Sequence, residues 1–447
     1  MAVVKVDFSV KKGPIKNMNS VNNGPKVRGR GQWRDNEKAY KALRIPNART
    51  HDASICYDYG AEHCVDVNGI FPNFEADPYN PYNYDFLITD RYLESIINAG
   101  TEPYYRLGSR IEHWDKKYNT LPPKNFKKWA VICEHIIAHY TEGWADGFNW
   151  NIEYWEIWNE PETWDGQPAI TKNCWGGTTE DFFDFFEIAA KHLKNRFPYL
   201  KIGGPALCCD HDWGRRFTKE MYKRGVPLDF YSWHIYTDKV YKLGEDAANV
   251  REYLDEAGYD NAESHLNEWN YIGSWTEGFV DTLIDLKGEK GAAFVAAMMI
   301  EGQRLPLDMM MYYDARCDAI FNGLFDIVTL RPQKPYYSFS AFSEIAGLGT
   351  EVAVENDASD IYALASTDGN NICGMVVYYT DCVDPGKRTV ELELLNFDKS
   401  PGFYEISGEK CFEKIEPVQK DGAYIFKVNP QTVIFYSSKV NRQLLLQ

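Results

Sequence analysis

Two glutamates close two short aromatic runs, each directly after an asparagine. One run is Tyr154-Trp155-Glu156-Ile157-Trp158-Asn159-Glu160-Pro161 and the other, 108 positions on, is Ser264-His265-Leu266-Asn267-Glu268-Trp269-Asn270-Tyr271. The first reads as a strand that breaks at Pro161 and leaves Asn159 and Glu160 at its mouth. Alternation predicts Glu156, Trp158 and Glu160 on one side and Trp155 and Ile157 on the other. A carboxyl flanked by indoles lies in a low-dielectric wall, which raises its pKa enough to hold a proton near neutrality. Two such carboxyls are what hydrolysis of a glycosidic bond requires. One protonates the leaving oxygen while the other attacks the anomeric carbon, or activates a water to do so. Either glutamate alone would also suit an ordinary buried acid paired with an arginine. Their matching contexts favour the chemical reading.

These residues need a frame that brings strand ends together. From about residue 16 to 330 the chain reads as strands alternating with amphipathic helices, the pattern of a parallel α/β fold. Helices are predicted over Ile88–Ala99, Phe126–Tyr140, from Thr178-x-x-Asp181 to Phe197, Phe217–Arg224, Ala247–Ala257 and Ala292–Arg304. Strands are predicted over Thr101–Gly108, Ile152–Asn159, Lys201–Pro205, Leu228–Tyr236, around Glu268, and over Asp308–Asp314. With Lys41–His51 as a strand-bearing unit and Ile15–Val21 as the first strand, the count reaches eight. This is a (β/α)8 TIM barrel over residues 16–345.

After Pro332-Gln333-Lys334-Pro335 the texture changes. Asp360–Thr367, Asn371–Thr380, Arg388–Asn396, Tyr404–Glu409 and Tyr424–Tyr436 are alternating and β-branched, the pattern of an antiparallel β-sandwich. The alternating opening Val3-Lys5-Asp7-Ser9 joins it as an N-terminal strand, so residues 1–15 plus 346–447 form the accessory domain.

Chemistry in a parallel barrel sits at the C-terminal ends of the strands. Collected strand by strand, the ends supply Arg49, His51 and Asp52; Arg106; Asn159 and Glu160; His234 and Tyr236; Asn267 and Glu268; and Tyr312, Tyr313, Asp314 and Arg316. An arginine beside a carboxylate keeps it ionised, and a strand-end tyrosine suits a hydrogen bond that orients Glu268. Each also has a structural reading: Arg49 neutralising a buried acid, His234 and Tyr236 as core packing, Asp314 and Arg316 as a rim ion pair.

Composition narrows the partners. The chain of 447 residues carries a net charge of −17 and no basic stripe, which argues against nucleic acid. Its 13 Trp, 30 Tyr and 24 Phe exceed the needs of a core and suit sugar-stacking surfaces. No apolar stretch reaches a membrane span, and the N-terminus has no leader pattern, so a cytoplasmic location is expected unless a leader has been removed. Ten scattered cysteines read as reduced thiols. No metal or cofactor is expected. In Cys208-Cys209-Asp210-His211, adjacent cysteines rarely face one tetrahedral metal and no second ligand group is evident. Oligomeric state is left open, a homo-oligomer included.

With these motifs the chain resembles glycoside hydrolases of clan A, and most of all glycoside hydrolase family 39. Trp155–Pro161 matches the family's Trp-Glu-x-Trp-Asn-Glu-Pro form and Asn267–Asn270 its Asn-Glu-Trp-Asn form. Ser232-Trp233-His234-Ile235-Tyr236 and Lys334-Pro335-Tyr336-Tyr337-Ser338-Phe339 resemble its strand-6 element and its last barrel helix. Asn19–Pro25 resembles its first substrate loop only loosely. The resemblance implies Glu160 as acid/base, Glu268 as nucleophile and Asn159 as partner of a sugar 2-hydroxyl. It implies a retaining exo-glycosidase of short oligosaccharides, β-xylosidase first, with α-L-arabinofuranosidase or another clan A activity as the alternative. A non-catalytic carbohydrate-binding barrel is the alternative of another class. The expected pocket is blind, lined by His234, Tyr236, Trp269 and Tyr313, with Arg49 and Asn159 holding the sugar and His51 also expected to bind substrate.

Overall fold

The computed structural model describes residues 1–27, 34–56, 60–162, 173–208, 210–382 and 385–439. Strands β1 (Ala2–Pro14), β2 (Asn17–Asn22) and β3 (Asn47–Arg49) precede a small hairpin of β4 (Ser54–Cys56) and β5 (Gly60–Glu62). Then come β6 (Glu102–Leu107), β7 (Tyr154–Ile157), β8 (Lys201–Cys208), β9 (Phe230–Thr237), β10 (Glu263–Tyr271) and β11 (Met309–Tyr312). Strands β2, β3 and β6 to β11 close into a parallel barrel in chain order.

The helices are α1 (Glu37–Ala42), α2 (Val67–Ile70), α3 (Leu87–Asn98), α4 (Phe126–Thr141), α5 (Thr179–Arg196), α6 (His211–Lys223), α7 (Val240–Ala257), α8 (Phe279–Asp285), α9 (Glu289–Gly302) and α10 (Lys334–Leu348). Local chemistry sets several ends. The Thr178 side chain accepts from the backbone of Asp181, whose carboxylate answers back to Thr178, the reciprocal box read from the sequence. Gly258 ends α7 at φ 101°, a conformation costly for any residue with a Cβ. No helix among the described residues is long and apolar enough to cross a membrane.

Inside the barrel, below the strand ends, Tyr104 stacks on Tyr154 and Phe230 on His265, and Met309 and Met311 complete this filled layer. The floor under the polar site is therefore solid, as barrel interiors are.

The C-terminal strands are β12 (Thr350–Asn356), β13 (Ile361–Thr367), β14 (Ile372–Tyr378), β15 (Arg388–Leu395), β16 (Gly402–Ile406), β17 (Cys411–Ile415), β18 (Val418–Lys420), β19 (Ala423–Val428) and β20 (Thr432–Ser437). They form one ten-stranded sheet, β17-β16-β20-β14-β13-β12-β1-β15-β19-β18, with β1 inserted between β12 and β15. Two expectations change here. The predicted strand Tyr424–Tyr436 is two strands, broken around Pro430, because proline has no N–H for a ladder. Strands β12, β17 and β18 were not predicted.

Alternation divides the sheet's apolar residues between two cores. Ile372, Val376, Tyr378, Ile434 and Tyr436 face the sandwich interior. Cys373, Met375, Val377, Val433 and Phe435 join the large core that contains the buried faces of α9 and α10. Strands β14 and β20 are thus buried on both faces, which is why they read as nearly continuous apolar runs.

Candidate active site

Both Asn-Glu pairs turn two consecutive side chains toward one centre, which a regular strand does not do. In β10 the register against β9 slips between Leu266 and Glu268. His265 faces the barrel interior, Leu266 faces out, and the extra residue lets Asn267 and Glu268 both face in, a re-aiming typical of bulges. At the end of β7, Trp158 and Glu160 take φ values of 75° and 45°. Left-handed backbone at non-glycine residues is strained, and such strain clusters at working sites.

The turn corrects the alternation expected for Trp158. Its indole lies on the outer side against Trp129, Trp175 and Phe185, and its N–H donates to the Cys174 carbonyl at 2.9 Å. Asn159 and Glu160 turn to the centre, and the Glu160 backbone N–H donates to Ala206 across on β8 at 2.9 Å.

One guanidinium ties the strand ends together. Arg49, fully buried, donates through Nε to Glu156 and through Nη1 to Glu268, both at 2.6 Å. Nη1 also reaches Asn22 Oδ1 at 3.1 Å, and Nη2 donates to Asn159 Oδ1 at 2.6 Å. Asn267 Nδ2 donates to the second Glu156 oxygen, and Asn22 Nδ2 to the Asn267 carbonyl at 2.8 Å. A buried cation is tolerable only when paired and hydrogen-bonded this fully.

The remaining contacts converge on the two glutamates. The Tyr236 hydroxyl donates to Glu268 Oε2 at 2.6 Å. His234 Nδ1 lies 2.8 Å from Glu160 Oε1 and 3.7 Å from Glu268 Oε2, which bounds those two oxygens to within 6.5 Å of each other. His51 Nε2 is 3.6 Å from Glu268 Oε1. Both ring nitrogens of His51, and Asn159 Nδ2, are buried without a hydrogen-bond partner among the described residues. Such groups ask for an occupant.

Burial pushes the Glu268 carboxyl up, while His234, Arg49 and the Tyr236 hydroxyl pull against it. Burial also opposes charge on Glu160, but the hydrogen bond and charge of His234 outweigh it and hold that carboxyl below its ordinary value. His234 is correspondingly raised: burial disfavours its charge, and the two glutamates overcome burial. His51 is driven well down by burial and by Arg49 and Arg106, so it is a neutral imidazole.

The sequence pattern of glycosyl hydrolases family 39 matches residues 64–377. The chain belongs to that family. It is 26% identical over 324 residues to a β-xylosidase of Geobacillus stearothermophilus, covering 64% of this chain and 60% of that protein. To a β-xylosidase of Caldicellulosiruptor saccharolyticus it is 26% identical over 317 residues, 63% and 61% of the two. The chain thus spans about three fifths of the length of these curated relatives. In fold it is similar to a glucosidase from Croceicoccus marinus (TM-score 0.79, 20% identity, 99% of each chain). A monomeric β-xylosidase from Caulobacter crescentus shares the fold as well (TM-score 0.72, 15% identity, 97% of this chain and 99% of that one).

Of the nine residues given a catalytic or sugar-binding part in the sequence reading, the structure gathers Glu160, Glu268, Asn159, Arg49, His51, His234, Tyr236 and Tyr313 in this family 39 barrel. Tyr313 lies beside Tyr236 and His51, with ring centroids 6.3 and 6.0 Å away. Trp269 is the exception. It follows the inward-facing Glu268 and so points outward, fully buried against Tyr312 and Phe294 of α9. It is core and lines no pocket.

Two features escaped the sequence reading. An aromatic rim runs from Tyr236 through Trp275, which is 56% exposed, to Phe279 and Phe321. Trp275 and Phe321 sit on the loops after β10 and β11 and Phe279 opens the short α8, where no periodicity marks position. Two thiols also flank Glu160. Cys174 Sγ is 3.8 Å from Glu160 Oε2, and the Cys208 sulfur, a Glu160 oxygen and a His234 nitrogen all lie within 4.8 Å of one another. Cys208 ends β8, so carrying the strand-end tally through the fifth barrel strand would have found it.

Proposed function

We propose that the chain is a retaining glycoside hydrolase that removes a terminal sugar from short oligosaccharides, with β-xylosides as the first substrates to try. The observation that carries this reading is the pair Glu160 and Glu268 held at 2.8 and 3.7 Å from one histidine nitrogen. Retention calls for carboxyls about 5 to 5.5 Å apart, and inversion for roughly 6.5 to 9.5 Å, which leaves room for a water. A bound of 6.5 Å between the oxygens favours direct attack.

In this reading Glu268 is the nucleophile. Arg49 and Tyr236 each donate to one of its oxygens, which favours the carboxylate and fixes its plane. Glu160 is the acid and then the base. His234, raised by the two glutamates, faces Glu160, held below its ordinary value, at 2.8 Å, which favours the proton on the imidazole side of that contact. A sugar that fills the site removes water from Glu160, which raises its affinity for that proton. Asn159 Nδ2 and the His51 nitrogens, buried and unpartnered among the described residues, are the groups left to grip sugar hydroxyls. The β-xylosidase names of two relatives support the choice of glycone.

The test is a panel of nitrophenyl glycosides followed by proton NMR of the first product. Turnover of the β-xyloside with release of β-xylose supports the reading. Faster turnover of the α-L-arabinofuranoside would move the glycone assignment, release of α-xylose would overturn retention, and an inert panel would leave a sugar-binding barrel. Xylobiose is expected to be cleaved well and polymeric xylan poorly.

A further inference from the structure

We infer that the thiol side of Glu160 is a binding site for a borderline-soft divalent cation, with zinc as the type, and that an occupied site is shut. Its donors are a Glu160 oxygen, a His234 ring nitrogen and Cys208 Sγ, all within 4.8 Å of one another. Cys174 Sγ, 3.8 Å from Glu160 Oε2, stands within reach as a fourth.

The donor types are the ones zinc selects, thiolate and imidazole with one carboxylate. Bonds of about 2.0 to 2.3 Å in a tetrahedron put neighbouring donors roughly 3.3 to 3.8 Å apart. The set departs from that range by about 1 Å or less, from 2.8 Å between Glu160 Oε1 and His234 Nδ1 to the 4.8 Å bound on all three donors, so side-chain rotations can close it. Neither thiol is disulfide-bonded and neither is fully buried, so a cation has a route in. Cys208 ends β8 and His234 lies in β9, while Glu160 is anchored by its backbone N–H on Ala206 of β8. Three donors thus sit on neighbouring strand ends of a rigid barrel, which limits the ordering cost of binding.

On binding, Cys208, and Cys174 where it ligates, release their thiol protons to solvent, and His234 releases the proton of its ligating ring nitrogen. The metal keeps its oxidation state. The Glu160 carboxylate, now a ligand, can neither carry a proton to a leaving oxygen nor accept one from water, and the metal occupies the leaving-group side of the sugar site. The binding half of the inference is independent of the proposed activity. The shut-off half rests on it.

Cobalt(II) is the probe for the first half, titrated into the whole protein in non-chelating buffer. A thiolate-to-cobalt absorption band in the near ultraviolet is expected, reduced to about half or less in Cys208→Ser, with affinity about tenfold or more weaker in both Cys208→Ser and Glu160→Gln. No band, or a band unchanged in both variants, would overturn the site. For the second half, zinc is expected to inhibit aryl glycoside turnover competitively and reversibly with EDTA. Its inhibition constant, measured against each protein's own uninhibited rate, should rise about tenfold in Cys208→Ser. Inhibition that is non-competitive, or equal in wild type and variant, would overturn the shut-off, and an inert glycoside panel would leave the cobalt result standing.

Discussion

Glu268 is placed under opposing influences: burial raises its pKa, while His234, Arg49 and the 2.6 Å hydrogen bond from Tyr236 lower it. In the proposed role of nucleophile Glu268 must be ionised, so kcat/KM is expected to fall as pH drops through the Glu268 pKa, which lies above its ordinary 4.5. Removing the hydroxyl removes a lowering contribution. The acid limb of the profile should therefore move to higher pH in Tyr236→Phe, by about one unit if the bond is worth about 1.5 kcal/mol. A pH–rate profile of kcat/KM measures this, and an unmoved acid limb with a uniformly lower rate would assign Tyr236 to sugar contact instead. Trp269 makes the opposite case. Trp269→Ala should lower stability by about 3 to 5 kcal/mol in urea unfolding, with KM of the surviving folded fraction little changed. A large rise in KM at undiminished stability would return it to the pocket.

At the scale of elements, Thr178→Ala removes one half of the reciprocal cap on α5 and should cost about 1 kcal/mol in the same urea measurement. That cap was legible in Thr178-x-x-Asp181 because it is made within four residues. The helix stop at Gly258 was legible for the same reason. The irregularities that build the site were not. The bulge at Asn267 exists through the register of β10 against β9, and the left-handed turn at Trp158 through an outer pocket of Trp129, Trp175 and Phe185 contributed by other elements. Strict alternation therefore put Trp158 beside Glu160 when it lies on the other side. The glutamates themselves are legible because their residue types, the preceding asparagines and the proline after Glu160 are local. The break between β19 and β20 is also written locally, in Asn429-Pro430, but apolar alternation continuing on both sides masks it.

Across the whole molecule, the barrel and the sheet share a core. Met375, Val377, Val433 and Phe435 pack in the same apolar body as Phe294 and Met298 of α9 and Phe339 and Phe342 of α10. A chain cut after Gly349 would expose that face of α9 and α10 and leave β1 without its neighbours β12 and β15. It is expected to aggregate, seen as void-volume elution in size-exclusion chromatography. A monodisperse truncated chain with native circular dichroism would show that the shared core is dispensable. The change of texture after Pro335 made the second domain legible in the sequence, whereas the burial of β14 and β20 on both faces needs the helices that cover them.

The position of β1 also sets an order of events. It precedes the barrel in the chain, yet Val4 is aligned with Asn356 on one side and with Leu392 on the other. During synthesis β1 therefore leaves the ribosome before the barrel is made, and its partners emerge only after the barrel is complete. For that interval an alternating apolar strand has no native edge to join. A nascent chain of this protein thus carries an adhesive segment ahead of a folding barrel until β12 and β15 have been made.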